Sequence, residues 1–419
     1  MKGEDRMERF FRDLKTVEGI QRGPWGSHIV SYATQLHVEG YTRQYGQLQL
    51  RLIAGFSRWV NQKAIAAENV TAQHTGDYLG YRKRRGYRLR RGDAATLTRF
   101  LELLRNGDAI VQHRTPAVTT PVECLLEKFD VYLQSERALA PTTRLYYGLF
   151  ARQFLNARFG SGPVELGSVC AADITGFVQR QAAKLGSKRS QMMTTALRSF
   201  LRFARYRGDI TLDLAACVPT VASWSFSTLP KSLPAVHVEQ VLASCNRQTA
   251  VGQRDYAILM LLARLGLRAG EIVRLSLEDI DWENGYITVQ GKTGRSSQLP
   301  LPADVGQAIA DYLKDARPRV SSNRSVFLRS QAPIRSLTNL STVSTVVRRA
   351  LARAGIDSPR KGAHQFRHTL ATEMLKQGAS LREIGDLLRH QNPNTTTIYA
   401  KVDLVALRTL ALPWPGGVR

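Results

Sequence analysis

The chain reads GAHQFRHTLATEMLKQGASLREIGDLLRHQNPNTTTIYAKVD from Gly362 to Asp403. His364 and Arg367 stand three residues apart, so a helix would present both on one face. His390 and Tyr399 follow, nine residues from each other. A phenol, with an ordinary pKa of about 10, is a weak nucleophile at neutral pH unless neighbours accept its proton and stabilise its anion. Two imidazoles and a guanidinium can do both, so this stretch predicts phosphoryl transfer through tyrosine.

Two cations upstream complete the candidate site. The segment GLRAGEI places Arg268 just past a predicted helix end, with Glu271 three residues on to hold its guanidinium in position. Lys292 falls in a predicted hairpin turn, from which a long ammonium side chain can reach a leaving oxygen atom. Each of these cations alone would be read as an ordinary surface residue, because most lysine and arginine side chains are exposed. Together they fit the chemistry of the 362–403 stretch.

The composition favours a polyanionic partner. Lysine and arginine number 59 against 34 acidic residues, which gives the 419-residue chain a net charge of +25. The excess is +9 for residues 1–120, +5 for 121–217 and +11 for 218–419. Because the positive charge runs along the whole chain, we expect a long contact surface for double-stranded DNA, with an affinity that falls as salt rises.

Several other classes of protein are disfavoured. The four cysteines lack CxxC spacing, so neither a zinc site nor a disulfide framework is indicated, and we expect no metal. The first residues mix acids and bases where a signal peptide needs an apolar core, and the longest apolar run, Ala257 to Ala263, is too short to cross a bilayer. We therefore expect no membrane contact and a location in the prokaryotic cytosol, associated with the nucleoid.

Apolar residues recur every three or four positions through most of the chain, which predicts a mainly helical fold. Short runs at 280–282, 286–289 and 297–301, separated by glycine-containing turns, predict a small three-stranded antiparallel sheet. One further helix is predicted at 394–408. The predicted organisation is a lead (1–25), an extra helical domain (26–115), a helical DNA-binding domain (116–217), a proline-rich linker (218–234), a catalytic domain (235–403) and a tail (404–419).

Three stretches of the first helical domain recur in the second, roughly 95 to 101 residues later in the sequence, which predicts a duplication. In this comparison Phe56 and Trp59 correspond to Phe150 and Phe154. Between the helices of the first domain, seven of ten consecutive positions are basic. Such a run is either solvated surface or a grip on DNA phosphates. The candidate DNA-binding residues are Arg82, Lys83, Arg84, Arg85, Arg88, Arg90 and Arg91.

The six candidate residues also fit a known family. GLRAGEI, GAHQFRHTLAT and LLRHQNPNTTTIYAKV resemble the arginine, His-x-x-Arg and His-to-Tyr motifs of the tyrosine recombinases, the phage-integrase family. The resemblance covers residues of about 231 to 403 well. Residues 121–210 resemble the family's helical core-binding domain, and residues 1–115 fall outside its minimal two-domain pattern. Arg389 stands where the family usually has glycine, and we expect it to contact DNA or to tune the local field.

The resemblance implies site-specific DNA recombination. Tyr399 would attack the scissile phosphate, forming a 3′-phosphotyrosyl bond and freeing a 5′-hydroxyl for attack on a partner duplex. Arg268 and Arg367 would bind the non-bridging oxygens as negative charge gathers on them, and His390 would add a donor.

Proton transfer is the second implied task. His364 would accept the tyrosine proton and Lys292 would protonate the departing 5′ oxygen, so no cofactor is required. The implied assembly is a homotetrameric synapse, with or without sister recombinases, in which the tail packs on its own domain or docks into a neighbouring copy. A type IB topoisomerase, which uses a similar set of residues, and a DNA-binding accessory protein without catalysis are the alternative interpretations.

Overall fold

The computed structural model describes residues 7–107, 109–110, 120–222, 230, 232–291, 294–319, 323–402 and 407. The fold is mainly helical with one small antiparallel sheet, which confirms the predicted fold class. Contacts group residues 1–112 with 228–419 in one compact unit and residues 113–227 in a second. Within the described ranges, no helix is long and apolar enough to cross a membrane.

The first helical domain has its own aromatic core. Trp25, Tyr32, Phe56 and Phe100 are all buried in it. The predicted lead is not a separate segment, because Phe10 belongs to this core together with Met7, Phe11 and Ile20. Its helices are α1 (Leu14–Gln21), α2 (Gly26–Val38), α3 (Arg43–Gln62), α4 (Ala72–Arg84) and α5 (Asp93–Asn106).

The second helical domain contains α6 (Pro121–Ser135), α7 (Pro141–Phe159), α8 (Ala171–Ala182) and α9 (Ser187–Tyr206). The predicted linker at 218–234 is shorter than expected at both ends. Arg198 on α9 donates to the carbonyl oxygens of Val218 and Pro219, at 2.8 and 3.2 Å, so these residues belong to the second domain. At the other end, Leu233 is buried in the core of the catalytic domain. Residues 223–229 and 231 lie outside the described part of the chain.

The catalytic domain is helical around the predicted sheet. Strands β1 (Ile280–Asp281), β2 (Tyr286–Gln290) and β3 (Ser296–Pro300) pair antiparallel in the order β1-β2-β3. Ile287 pairs with Ile280 on one side and with Leu299 on the other, and all three are buried, so one sheet face joins the core. The helices are α10 (Ala235–Ala243), α11 (Ala250–Arg264), α12 (Ala269–Arg274), α13 (Ala303–Asp311), α14 (Leu340–Arg353), α15 (His364–Lys376) and α16 (Leu381–Leu387).

The helix predicted at 394–408 is wrong over residues 394–402. The chain instead forms two short 3₁₀ turns, Pro393–Thr395 and Thr397–Val402. Consecutive β-branched residues, three threonines and Ile398, lose side-chain freedom in an α-helix, which explains the irregular backbone. Residues 403–406 and 408–419, which include the predicted tail, lie outside the described residues.

Candidate active site

Arg367, on α15, forms hydrogen bonds to two loops, the one after α11 and the one after α16. Its side chain is almost fully buried, with 4% of the residue exposed. Nη1 donates to the carbonyl oxygen of Gly266 at 2.6 Å, and Nη2 donates to the carbonyl oxygen of Leu388. Gly266 lies two residues before Arg268 and Leu388 two residues before His390. One guanidinium therefore sets the distance between the two segments that carry these side chains.

Gly266 has the backbone that this arrangement requires. Its φ angle is +57°, in the left-handed region that favours glycine. A Cβ atom at this position would lie 2.8 Å from Cδ2 of Leu388 and 3.1 Å from Cδ2 of Leu370. The glycine of the GLRAGEI segment thus lets the loop after α11 approach the loop after α16 closely.

Glu271 holds two further guanidiniums, as the sequence predicted for the first of them. Its carboxylate accepts from the backbone N–H and from Nη1 of Arg268, both at 2.8 Å, and from Nη2 of Arg389 at 3.0 Å. Burial alone would raise the pKa of Glu271, but Arg389 and the donors of Arg268 outweigh it and hold the pKa below its usual value. Glu271 is therefore a buried anion that orients Arg268.

Arg389 is turned inward, which bears on both roles predicted for it. Its side chain is 10% exposed and its guanidinium is bonded to Glu271 and to the Leu387 carbonyl. Its φ angle is +54°, so this arginine occupies a backbone conformation in which glycine is the favoured residue. The geometry fits a role in tuning the local field and disagrees with direct contact to DNA, because the donors point away from the surface.

The three guanidiniums outnumber the carboxylate that they surround. Burial lowers the pKa of Arg367 to about 9, and the charges of Arg268 and Arg389 act in the same direction. Glu271 opposes these effects only in part. A bound phosphate would supply the negative charge that this cluster needs, because charge-assisted hydrogen bonds from arginine to phosphate are strong.

Burial, reinforced by positive charge, keeps the nearby imidazoles neutral. Burial, followed by His364 and Arg367, lowers the pKa of His368 to about 4. Burial, followed by Arg367 and Arg268, lowers the pKa of His390 to about 4. The pKa of His364 is lowered too, by burial and then by Arg367. At neutral pH each ring therefore has one nitrogen that can accept a proton.

Tyr399 contacts a histidine that the sequence interpretation overlooked. Its hydroxyl oxygen lies 3.0 Å from Nδ1 of His368, and Tyr399 itself is 2% exposed. The predicted acceptor, His364, makes no such bond among the residues that the structure describes, and its ring centre is 6.3 Å from that of His368. The spacing was informative: His364 and His368 are four residues apart, so a helix puts both on one face.

A cavity of about 420 Å³ opens beside His364 and His368. Its charged and titratable lining is Arg268, His364, His368 and Arg360. Arg360 is exposed and was not predicted as a site residue. His368 thus contacts the tyrosine and also faces the cavity.

The remaining predicted residues are placed as follows. Nδ1 of His390 lies 2.7 Å from Oγ1 of Thr396, in the segment that leads to Tyr399. Lys292 lies outside the described residues, although the β2–β3 turn that carries it is closed by Gly291, whose N–H donates to the carbonyl oxygen of Arg295 at 2.7 Å. The predicted basic run begins in the last turn of α4 and continues beyond it, and every cation in it except the half-buried Arg82 is exposed.

Known proteins match the chain over this site. The phage integrase family matches residues 231–404. A relative named "Putative integrase/recombinase y4rA", from Sinorhizobium fredii, is 50% identical over 399 residues, which cover 94% of this chain and 95% of that protein. The tyrosine recombinase XerC of Lactobacillus delbrueckii subsp. bulgaricus is 30% identical over 291 residues, 67% of this chain and 95% of that protein. The chain belongs to the tyrosine recombinase family.

Solved structures agree with this recombinase in fold. XerH site-specific recombinase bound to a palindromic difH substrate matches with a TM-score of 0.55 and 19% identity, covering 68% of this chain and 83% of that one. The Tn1549 transposon integrase, in complex with a circular intermediate DNA, matches with a TM-score of 0.51 and 20% identity over 68% and 99% of the two chains. Because the y4rA match leaves only about 6% of this chain uncovered, it includes most of the extra helical domain.

Two variants of Arg389 test whether its positive φ angle destabilises this recombinase. Arg389→Ala removes the ion pair with Glu271 and keeps the strained φ angle, whereas Arg389→Gly removes the same ion pair and relieves the strain. We expect the glycine variant to be more stable than the alanine variant by about 1 kcal/mol. Thermal unfolding midpoints of the two proteins measure this difference. Equal midpoints, or a less stable glycine variant, would show that no strain is stored at this residue.

Proposed function

We propose that this tyrosine recombinase cleaves double-stranded DNA through Tyr399. The phenolic oxygen forms a bond to the scissile phosphorus, the bond from phosphorus to the 5′ oxygen breaks, and a 3′-phosphotyrosyl link preserves the bond energy for rejoining. The observation that carries the proposal is the 3.0 Å contact between Tyr399 and His368, which joins the nucleophile to a cavity lined by Arg268 and His364.

His368 is the group that we propose as the acceptor of the tyrosine proton. It is within hydrogen-bond distance of the phenol, and its pKa of about 4 makes it neutral at pH 7. Burial raises the pKa of Tyr399, and Arg367 opposes that rise, so ionisation of the phenol needs a base at this distance. His364, farther from the phenol and on the cavity wall, is then free to act on the phosphate.

The non-bridging oxygens of the phosphate would be bound by Arg268 and His390, with Arg367 behind them. Two nitrogens of Arg367 already donate to backbone carbonyls, but each retains a second hydrogen. Negative charge gathers on these oxygens during attack, and donors that are already in place stabilise it without reorganising. Lys292 is the candidate donor to the leaving 5′ oxygen, on the strength of its place in the β2–β3 turn.

Tyr399 must become accessible before it can attack. It is 2% exposed, and it sits in a six-residue 3₁₀ turn rather than a long helix. A short turn carries few internal hydrogen bonds, so moving it costs less than unwinding a helix. We propose that DNA binding shifts the 397–402 turn and carries the phenol to the phosphate.

The assembly follows from strand counting. Exchange between two duplexes breaks four strands, and this chain supplies one Tyr399, so we propose a synapse of four protomers. Sister recombinases could supply two of the four. Because the proposed substrate is double-stranded DNA, we propose that the reaction takes place at the nucleoid, in the cytoplasm. The accessory-protein interpretation is less favoured, because His368, which contacts Tyr399, lines the same cavity as Arg268 and His364.

Covalent capture tests the proposed nucleophile. A duplex selected from genomic fragments that the protein retains is nicked beside the cleavage point, so that a short strand diffuses away after attack and traps the adduct. We expect a covalent protein–DNA band with the natural protein and none with Tyr399→Phe, because phenylalanine has no oxygen to attack. An adduct that survives in the phenylalanine variant would move the nucleophile elsewhere.

Variants of the two histidines separate the base from the phosphate contact. In His368→Ala the tyrosine must lose its proton to solvent, so we expect adduct formation to slow by roughly 10²- to 10⁴-fold and to accelerate as pH rises from 6.5 to 8.5. The natural protein should be nearly flat over that range, because the pKa of His368 is about 4 and the ring stays neutral. His364→Ala is the matched control, slower but with a flat profile. A flat pH profile for His368→Ala together with a rate that rises with pH for His364→Ala would show that His364 is the base.

A further inference from the structure

The first and second helical domains share one helix order. The first domain begins with an additional helix, α1, and from there on each domain has two helices, then a 3₁₀ turn, then two more helices. The 3₁₀ turns, Ala67–Asn69 and Leu166–Ser168, begin 99 residues apart, as do the helices α4 and α8 that follow them. The valine between turn and helix is buried in both domains, as Val70 and Val169.

The same pairs of rings also touch in the two cores. The ring centres of Tyr32 and Phe100 lie 5.7 Å apart at an interplanar angle of 86°, and those of Phe129 and Phe200 lie 5.3 Å apart at 84°. These partners are 97 and 100 residues apart in sequence. Edge-to-face contacts are common between aromatic rings, so the similar geometry supports a repeat because the two pairs also occupy corresponding positions in the two domains.

A second ring contact repeats between the helices that flank the 3₁₀ turn. Phe56 lies 5.4 Å from Tyr78, and Phe154 lies 5.3 Å from Phe177. Phe56 therefore corresponds to Phe154, which corrects the sequence comparison that matched it to Phe150. The separations are 98 and 99 residues, in line with the helix starts.

The starts of α4 and α8 are closed in the same way. The backbone N–H of Thr71 donates to Nδ1 of His74 at 3.0 Å, and the backbone N–H of Cys170 donates to the carboxylate of Asp173 at 3.0 Å. In each case the third helical residue reaches back to the residue that precedes the helix. Helix order, ring contacts and caps thus repeat together.

Positive charge occupies the same loop in both domains. The connection from α8 to α9 carries Lys184, with Lys188 and Arg189 just inside α9, and all three are exposed. In the first domain the basic run begins in the last turn of α4, with Arg82, Lys83 and Arg84, and continues through the connection to α5. None of the seven cations of that run forms a salt bridge with a carboxylate in the part of the chain that the structure describes. Unpaired, clustered cations of this kind suit a row of phosphates.

Aromatic rings support several of these guanidiniums. The guanidinium carbon of Arg82 lies 4.8 Å from the ring centre of Tyr87 and 5.8 Å from that of Tyr78. Arg85 lies 5.6 Å from the ring centre of Tyr81. Stacking of this kind limits the side-chain freedom that a phosphate contact would otherwise have to remove.

We propose that residues 26–107 are a second copy of the core-binding fold. We also propose that the basic loop, by which we mean the last turn of α4 and the connection after it from Arg82 to Arg91, binds phosphates of double-stranded DNA. Each protomer would then hold DNA through two helical modules of one architecture in addition to its catalytic domain. The proposal rests on the proposed function in one respect, that double-stranded DNA is the partner. It does not depend on the cleavage chemistry.

The salt dependence of binding by the full chain tests this proposal. The probe is a fluorescently labelled 60-base-pair duplex of arbitrary sequence, and the measured quantity is the slope of log K against log salt concentration. Arg88→Gln with Arg91→Gln removes two exposed cations from the loop. We expect the slope to become less negative by up to about 1.8, since each phosphate contact contributes roughly −0.9. We expect the affinity at 0.15 M salt to fall roughly tenfold.

The matched control removes two exposed cations from the same domain outside the loop, as Arg22→Gln with Lys63→Gln. It should leave the slope unchanged. A second loop pair, Lys83→Gln with Arg84→Gln, should repeat the effect of the first, and circular dichroism should show native helix content in all three. Equal slopes for the natural protein and both loop pairs, or an equal fall in the control, would overturn the proposal.

The same measurement separates this proposal from the cleavage chemistry. The Tyr399→Phe protein should keep the natural slope, because the neutral phenol of Tyr399 neutralises no phosphate charge and releases no counterion. A missing covalent adduct together with a retained loop effect would count against the chemistry alone. An adduct formed normally by a protein whose loop has no effect on the slope would count against the second module alone.

Discussion

The buried guanidinium of Arg367 is the interaction on which the rest of the site depends. A cation removed from water is costly unless donors find acceptors, and here the carbonyl oxygens of Gly266 and Leu388 provide them. The two carbonyls belong to loops more than 120 residues apart in sequence. Since those loops carry Arg268 and His390, satisfying one buried charge also assembles the groups that would meet a phosphate.

Charge balance explains the second feature of the site. Arg268, Arg367 and Arg389 surround Glu271. Burial keeps the nearby imidazoles neutral, and the positive charge acts in the same direction. A phosphate entering this field would be bound by it and would partly cancel it. The site therefore has an excess of positive charge that suits a phosphate, and Tyr399, the proposed nucleophile, is buried beside it.

Most of the fold and part of the site could be predicted from the sequence. Helical periodicity and glycine-containing turns predicted the helices and the sheet, because both patterns are local. Burial of the lead was not predictable, since Phe10 and Trp25 find partners that lie far along the chain. The contact of His368 was predictable in part, because His368 lies four residues after His364 and so shares its helix face. The family motif names only His364, so the prediction did not include His368. The inward turn of Arg389 depends on Glu271, 118 residues away, and no local signal encodes that contact.

The central claim is that Arg367 positions the two loops as well as acting on the phosphate. Arg367→Lys keeps a positive charge but cannot bridge two carbonyls in a fork. The direct measurement is amide hydrogen exchange at residues 266–268 and 388–390 in this variant and in the natural protein without DNA. We predict faster exchange at both loops together, with the helices of the other domains unchanged. Unchanged protection at both loops would contradict the account and confine Arg367 to the chemistry.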